Sequence, residues 1–469
     1  MHARPEDVTP GPRPRRHLGL GALSSAAAQV LGMAATFVLS VVIARRLGPS
    51  GNGTYALAAN LFEIALVLST VGLATGVIYL VSRGDWPVRA ALKQTQAAAL
   101  VLGAIGGAGA AAFYLLTRHN VLEGLSPTAA LLVLAALPFG IGWGVSSKIA
   151  LGRERYELYA TTSVVQPAAA LVLGGVLLFP FGVTGALTGY ALGHVLAALL
   201  TAYWVRGLVD DPSARSAPRR QLRTAAAFGA KSWGAELFQL LNYRLDLFIL
   251  SAYASRSDVG VYAVALSLTA VGWVLPAALQ TVVFPRTAGL DAEVTRANLP
   301  RESSDTAVAR ASRHTVLLLG PTALGLALLV AIVVPVFYGP RFTDATLLGF
   351  VLIPGVVLLG VGKVLNAATL GRGFPIYSFY TMLVALPLTV AMYLLLIPPL
   401  HAYGAALAST VSYSLTAVMS LLFFGRATGV AWRAALVPTR ADARDLVEAM
   451  RAARSAAMAR LPRRSARQG

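Results

Sequence analysis

Cysteine is absent from the 469 residues, which removes disulfides, thiolate metal ligands and thiol chemistry and fixes nothing about compartment. Charge is scarce too: Asp, Glu, Lys and Arg make up 13% of the chain, about half the usual share in a soluble domain. What fills the space is apolar, at 56% hydrophobic residues and a mean hydropathy of +0.67. That balance describes a chain that crosses a membrane many times. A formal charge of +19 on a soluble protein would point to nucleic acid. Here it follows from topology, because Lys and Arg collect in the cytoplasmic segments of membrane proteins, and no nucleic-acid partner is expected.

Apolar stretches of about 20 residues, separated by turn or charged residues, predict an all-α polytopic protein of about 12 spans. The segment 1–17 is Pro- and Arg-rich and reads as a disordered basic N-terminus. With that end inside, thirty basic residues fall in cytoplasmic segments, five in outside loops and four (Lys148, Lys231, Arg244, Lys363) within spans. Both termini are therefore expected in the cytoplasm, with the chain in the cytoplasmic (inner) membrane.

Short motifs recur six spans apart. Gly53–Ala58 reads GTYALA and Gly260–Ala265 reads GVYAVA, an offset of 207; Gly185-Ala186 and Gly404-Ala405 repeat at 219, with the longer loop 287–312 between the two offsets. Six spans per repeat implies two parallel halves related by an axis along the membrane normal. The expected division is an N-lobe over 18–206, a cytoplasmic linker over 207–222, a C-lobe over 223–425 and a basic cytoplasmic tail over 426–469.

The stretch from Thr224 to Ser251 is long enough to span, yet holds Lys231, Glu236, Arg244 and Asp246. An ionisable group at the bilayer midplane costs roughly 3 kcal/mol, so it is tolerated where it faces protein or water. At 100° per residue, Lys231, Gln239, Asn242 and Asp246 share one narrow arc opposite Trp233, Leu240 and Phe248, which predicts a polar face beside a cavity.

The run LGPSGNGTYALAANLF, Leu47 to Phe62, after a span ending Ile43-Ala44-Arg45-Arg46, resembles the polysaccharide-transporter branch of the multidrug/oligosaccharidyl-lipid/polysaccharide exporter superfamily. The resemblance implies two six-helix lobes around a central cavity. It further implies export of a polyprenyl-pyrophosphate-linked oligosaccharide by alternating access. Such a substrate needs a polar chamber and a cation for its phosphates, and lysine is a usable point-charge partner. Lys231, Lys363 and Lys148 are the candidates, with Gln239 and Asn242 beside them. Lys148 and Lys363 could equally snorkel to the interface. Glu63 and Arg244 lie at similar depth and could close an outer gate. Glu236, Asp246 and Glu63 could take up a proton or bind sodium, with the membrane potential contributing, and Gln29 stands 207 residues before Glu236. Structural ion pairing is the alternative. Aromatics such as Trp143 and Trp273 are expected as packing or interfacial anchors, and His194 as a hydrogen-bonded residue.

No cofactor, metal site or enzymatic activity is expected, since the outside loops are short and 48–53 holds no carboxylate. The expected partners are a lipid-linked oligosaccharide, anionic lipid headgroups through the tail, and a polysaccharide polymerase or glycosyltransferases. The rival readings are a cation-coupled multidrug exporter and a non-transporting scaffold of a cell-wall synthesis complex.

Overall fold

A computed structural model describes residues 16–208, 220–280 and 302–445, with positions 283, 287, 448 and 451. Expectations for residues 1–15, for most of the linker and for the distal tail lie outside the described residues. Every regular element among the described residues is helical. Lipid offers no hydrogen bonds, so a spanning segment must satisfy its own backbone, and a helix does so within itself. The elements used below are α1 (Arg16–Thr70), α2 (Leu73–Ser82), α3 (Val88–Thr117), α4 (Pro127–Ala135), α5 (Leu137–Gly152), α6 (Tyr156–Ala169), α7 (Gly175–Arg206), α8 (Arg220–Tyr253), α9 (Arg256–Thr269), α10 (Glu302–Val333), α11 (Asp344–Gly371), α12 (Pro375–Thr428) and α13 (Trp432–Leu436). Eight stretches among the described residues are long and apolar enough to cross a membrane. At 34 residues α8 is also long enough, but its charged residues set it apart.

Three long helical stretches break inside. Gly48 leaves the helical region at φ 69°, Gly182 at φ 57° and His401 at φ 50°. The sequence predicts an open turn from 45 to 53, but Gly48 alone breaks the helix and Pro49 follows it, where its missing N–H is least missed. Gly182 and His401 stand 219 residues apart, the repeat offset. Three residues on, a Cβ on Gly185 would lie 1.9 Å from the Leu177 carbonyl oxygen and one on Gly404 2.0 Å from that of Leu396, another equivalent pair. The repeat thus extends from letters to backbone geometry.

The chain forms two compact units: residues 1–43, 61–116 and 125–234 make the first, and 44–60, 117–124 and 235–469 the second. Their boundary differs from that of the sequence halves, since 44–60 joins the second unit and the start of α8 joins the first.

In the first unit Leu73, Val77, Trp86, Ile141, Val145, Ile149 and Ala225 form a buried core. In lipid, apolar side chains gain little by leaving their surroundings, so close packing of small residues holds helices together. Gly72 and Gly76 face Ala225 and Gly229 in this way, with a Cβ on Gly229 only 1.9 Å from the Gly72 carbonyl oxygen and one on Gly76 2.0 Å from that of Ala225. The Trp233 indole N–H donates to the Val67 carbonyl at 2.8 Å, and Tyr79 stacks on Phe228 at 4.1 Å. The beginning of α8 is thereby zipped to the end of α1 and to α2.

In the second unit the 44–60 segment lies on α9. A Cβ on Gly53 would meet the Arg256 carbonyl oxygen at 2.1 Å and one on Gly260 that of Pro49 at 1.9 Å. These two glycines open the GTYALA and GVYAVA repeats. Asn52 donates to the Gly260 carbonyl at 2.9 Å, and Arg45 donates to the carbonyls of Val336 and Phe337, each at 2.6 Å. Helices α11 and α12 form the centre of this unit, where Gly355 admits Thr410 and Gly362 admits Ala417 at backbone contact.

Candidate functional site

Lys363 lies on α11, and its ammonium sits 4.3 Å from the ring centroid of Trp273 and 5.2 Å from that of Tyr243. No ion pair to it occurs among the described residues. A cation over aromatic faces is held by the ring quadrupoles, worth about 2 kcal/mol when water is thin, and keeps hydrogens free for an arriving anion. The rings of Tyr243, Trp273 and Tyr413 pack against one another with centroids 5.2–5.9 Å apart. The Trp273 indole N–H and the Tyr413 hydroxyl are buried without a hydrogen-bond partner among the described residues. Buried donors left unmet are uncommon and usually await a water or a ligand. One ammonium therefore lies against an aromatic cluster that contains two unspent donors.

Beside this slot runs a polar seam. Asp246 on α8 is fully buried and accepts from the Tyr262 hydroxyl and from the Leu247 N–H, both at 2.7 Å. Tyr262 also shares a hydrogen bond with Ser409, at 3.1 Å, as does Tyr393 at 3.0 Å. One turn earlier the Asn242 carbonyl oxygen accepts from Thr389 at 2.7 Å and from Ser412 at 3.3 Å, while its amide nitrogen is buried and unmet. The two side chains lie on one face because four residues make slightly more than one turn.

This arrangement resolves the polar arc predicted on α8. Asn242 and Asp246 face protein, closed off at 0% exposure, whereas Gln239 is exposed and reaches the Tyr243 hydroxyl only at 3.5 Å. Amphipathic spacing cannot tell a cavity from a partner helix of Ser and Thr, so the uniform wet face gives way to a buried seam and an exposed Gln. Lys231 lies on α8, but its side chain lies outside the described residues. Glu236 is exposed, and Arg244 is half-buried with its carbonyl accepting from Asn60 at 2.9 Å.

In the first unit, Lys148 donates to the Tyr159 hydroxyl at 3.2 Å and lies 5.0 Å from that ring. Glu63 is half-buried and Gln29 exposed. His194 is buried, at hydrogen-bond distance from the Tyr190 carbonyl (3.0 Å) and near Gln166, in contact with the ring of Phe62. The expectation of a hydrogen-bonded histidine fits that geometry.

Trp273, Tyr243, Tyr413 and Thr389 were not legible as site residues. Nothing in a hydrophobic run distinguishes a packing tryptophan from one under an ammonium. One sequence signal was available in the repeat: at the offset of 207, Asp246 corresponds to Leu39 and Asn242 to Ala35; at 219, Lys363 corresponds to Gly144, Thr389 to Ala170 and Ser412 to Gly193. Polar groups in one repeat stand where the other has small or apolar ones.

A helical multi-pass protein whose motifs and helix breaks recur at a fixed offset, with charged groups inside, has the architecture of a membrane transporter. Solved structures agree on the fold. The lipid II flippase MurJ in an inward closed conformation matches with a TM-score of 0.64 at 13% identity, covering 86% of this chain and 87% of that one. An inward-facing MATE-family multidrug resistance transporter of the MOP superfamily matches at 0.62 and 16% identity, over 85% and 94%. A MOP superfamily transporter from Pyrococcus furiosus matches at 0.56 and 18% identity, over 88% and 95%. Residues 18–291 match the model of the polysaccharide biosynthesis protein family, and the chain belongs to that family. A curated relative, the succinoglycan biosynthesis transport protein ExoT of Rhizobium meliloti (strain 1021), is 23% identical over 317 residues, 66% of this chain. The match spans 60% of that relative's length.

Proposed function

We propose that the chain carries a polyprenyl-(pyro)phosphate-linked oligosaccharide from the inner to the outer leaflet of the cytoplasmic membrane, for cell-surface polysaccharide synthesis. The observation that carries this reading is Lys363, a cation inside a spanning unit whose neighbours are aromatic rings and unmet donors. A phosphate is the substrate group such a slot suits, while the lipid tail stays in the bilayer. Lys231 and Lys148 serve as further cations along the route. Membership of the polysaccharide biosynthesis family supports a glycan cargo.

Alternating access requires seams that open in turn. The contacts of Gly72 with Gly229 and of Gly53 with Gly260 join residues of different sequence halves through bare backbone, which parts without unpacking side chains. Asp246 is the candidate for coupling to protons or sodium, with Tyr262 and Ser409 ready to adjust their hydrogen bonds as its charge changes.

The test uses proteoliposomes loaded with a fluorescent polyprenyl-diphosphate oligosaccharide and an external enzyme that cleaves the exposed glycan. Cleavage beyond half of the label, lost on Lys363→Ala, supports the reading; transfer unchanged by the substitution refutes the role of Lys363. A second reading, cation-coupled drug export, is favoured by the buried carboxylate of Asp246 beside aromatic rings. It predicts ethidium efflux by the same vesicles and no transfer of the glycolipid.

A further inference from the structure

The chain continues past its last spanning helix into a short segment that folds back on the second unit. Helix α13 and the turn after it press Ala435 and Leu436 onto Val361, Leu365, Ala368, Leu421 and Phe424. Pro438 and Thr439 then start a new turn. The Thr439 N–H and hydroxyl donate to Asp442 at 2.8 and 2.6 Å, and the Asp442 N–H returns to the Thr439 oxygen at 3.3 Å, a reciprocal cap. Arg313 of α10 closes the arrangement: its guanidinium donates to both Asp442 oxygens at 2.6 and 3.0 Å and to the Ala434 carbonyl at 2.7 Å. His314 lies 3.7 Å from the same carboxylate and Arg310 4.0 Å from Asp445. An apolar face and a bidentate clamp thus hold this strap in one position.

Among the described residues its other face has no such partner. Trp432 and Val437 are more than half exposed, Arg433 lies over the Trp432 ring at 5.1 Å, and Arg440 and Arg444 are exposed. The strap begins three residues after Thr428, where the final apolar stretch ends, so this face lies at the level at which hydrocarbon gives way to headgroups. Amphipathic Trp belongs at that level, and Arg there meets phosphate. From Arg426 the chain carries ten Arg against three carboxylates, which adds attraction to an anionic surface.

We propose that the strap 431–445 is a docking foot for anionic phospholipid headgroups, presenting Trp432 and Val437 to the bilayer edge and Arg433, Arg440 and Arg444 to lipid phosphates, with the Arg313–Asp442 clamp fixing its height. The foot is independent of what the transporter carries, and lipid is the partner because an exposed aromatic and an exposed aliphatic side chain stand among exposed cations directly after the last apolar stretch. It predicts that anionic lipid orders the end of α12 against α10.

The absence of cysteine makes the test direct. Val437→Cys in the full chain, labelled with an environment-sensitive fluorophore, goes into nanodiscs of neutral phosphatidylcholine or of the same lipid with phosphatidylglycerol; both faces of a nanodisc are accessible, so the outcome does not depend on orientation. The expected result is a blue-shifted, quencher-protected label in anionic discs, reversed by high salt. Replacing Arg433, Arg440 and Arg444 together by Gln lowers the docked-to-free ratio on the order of 100-fold at low ionic strength. Asp442→Asn loosens the foot without removing its charges, so the label loses its fixed environment while salt dependence remains. Identical spectra in neutral and anionic discs overturn the proposal. So does protection that appears only with two copies per disc, which would assign the face to a second chain. Flipping of glycolipid by the same variants in proteoliposomes is scored separately, so a foot without transport, or transport without a foot, is distinguishable.

Discussion

The two repeats share a backbone and differ in chemistry. Where the second repeat buries Asp246, Asn242, Thr389 and Ser412 in a hydrogen-bonded seam, the first has Leu39, Ala35, Ala170 and Gly193 at the offset positions. His194 and Tyr413 also correspond, yet His194 is hydrogen-bonded while the Tyr413 hydroxyl is unmet. The second repeat carries polar groups at positions where the first has small or apolar ones. A buried polar group without partners costs about 1–3 kcal/mol, so such a set persists only where it is hydrogen-bonded or serves transport.

The largest expected effect comes from the glycine seams. Gly260→Val places branched carbon against the Pro49 carbonyl, and overpacking of about 3 kcal/mol should lower glycolipid transfer on the order of 100-fold. Gly229→Val, against Gly72, should do the same from the other seam. Protease or maleimide access at each seam distinguishes them, because each variant exposes its own side and leaves the other closed. Equal exposure of both sides in both variants would remove the idea of two separate seams.

Exchanging the polar character of equivalent positions sharpens the comparison next. Asp246→Asn keeps the shape and one of the two acceptor oxygens but removes the charge, so transfer should persist at roughly a tenth of the rate and become insensitive to an imposed ion gradient. Leu39→Asn at the matching site has no Ser or Thr seam to join and should lower stability by about 2 kcal/mol with the gradient response intact. A gradient response that survives in Asp246→Asn would move coupling elsewhere, Glu63 and Glu236 being the remaining candidates.

The clamp on the tail gives a pH prediction. Hydrogen bonds from the Arg313 guanidinium, then those from Thr439, hold the Asp442 carboxyl far below the ordinary aspartate range, near 3.9. A depressed native pKa means the stabilisation is complete above about pH 4 and is lost as pH falls through the lower native value. Asp442→Asn should therefore cost about 2 kcal/mol of tail docking at neutral pH and flatten the acid response. Limited proteolysis between α12 and the tail with an acid-active protease, from about pH 5 downward through about pH 2, reads this directly.

Smallest is the break residue. His401 adopts φ 50°, a region that costs a side-chain-bearing residue roughly 1 kcal/mol, where the first repeat has Gly182. His401→Gly should stabilise the protein by about that amount, with Gly182→His destabilising it, measured as thermal midpoints in detergent.

Hydropathy made the helical class and the membrane legible, since runs such as 313–337 admit little else. The repeat was legible through GTYALA and GVYAVA, and the structure sets their first glycines against each other. The breaks were less visible, since His401 has no conformational signature. Lys363 was legible as a cation at an unusual depth, but its partners Trp273 and Tyr243 come from other helices, and periodicity along one helix carries no information about the next. The stripe on α8 divides for the same reason, because Asn242 and Asp246 are matched by Thr389, Ser412 and Tyr262, which only the packing brings together.

The central claim is that the second repeat holds a phosphate at Lys363. Binding of a polyprenyl-diphosphate oligosaccharide and of the uncharged polyprenol to the purified chain, with and without Lys363→Gln, measures it most directly. The account predicts that the diphosphate is preferred, and that Lys363→Gln reduces that preference by about 10- to 100-fold while binding of the polyprenol is unchanged. An unaltered preference in the variant would contradict it.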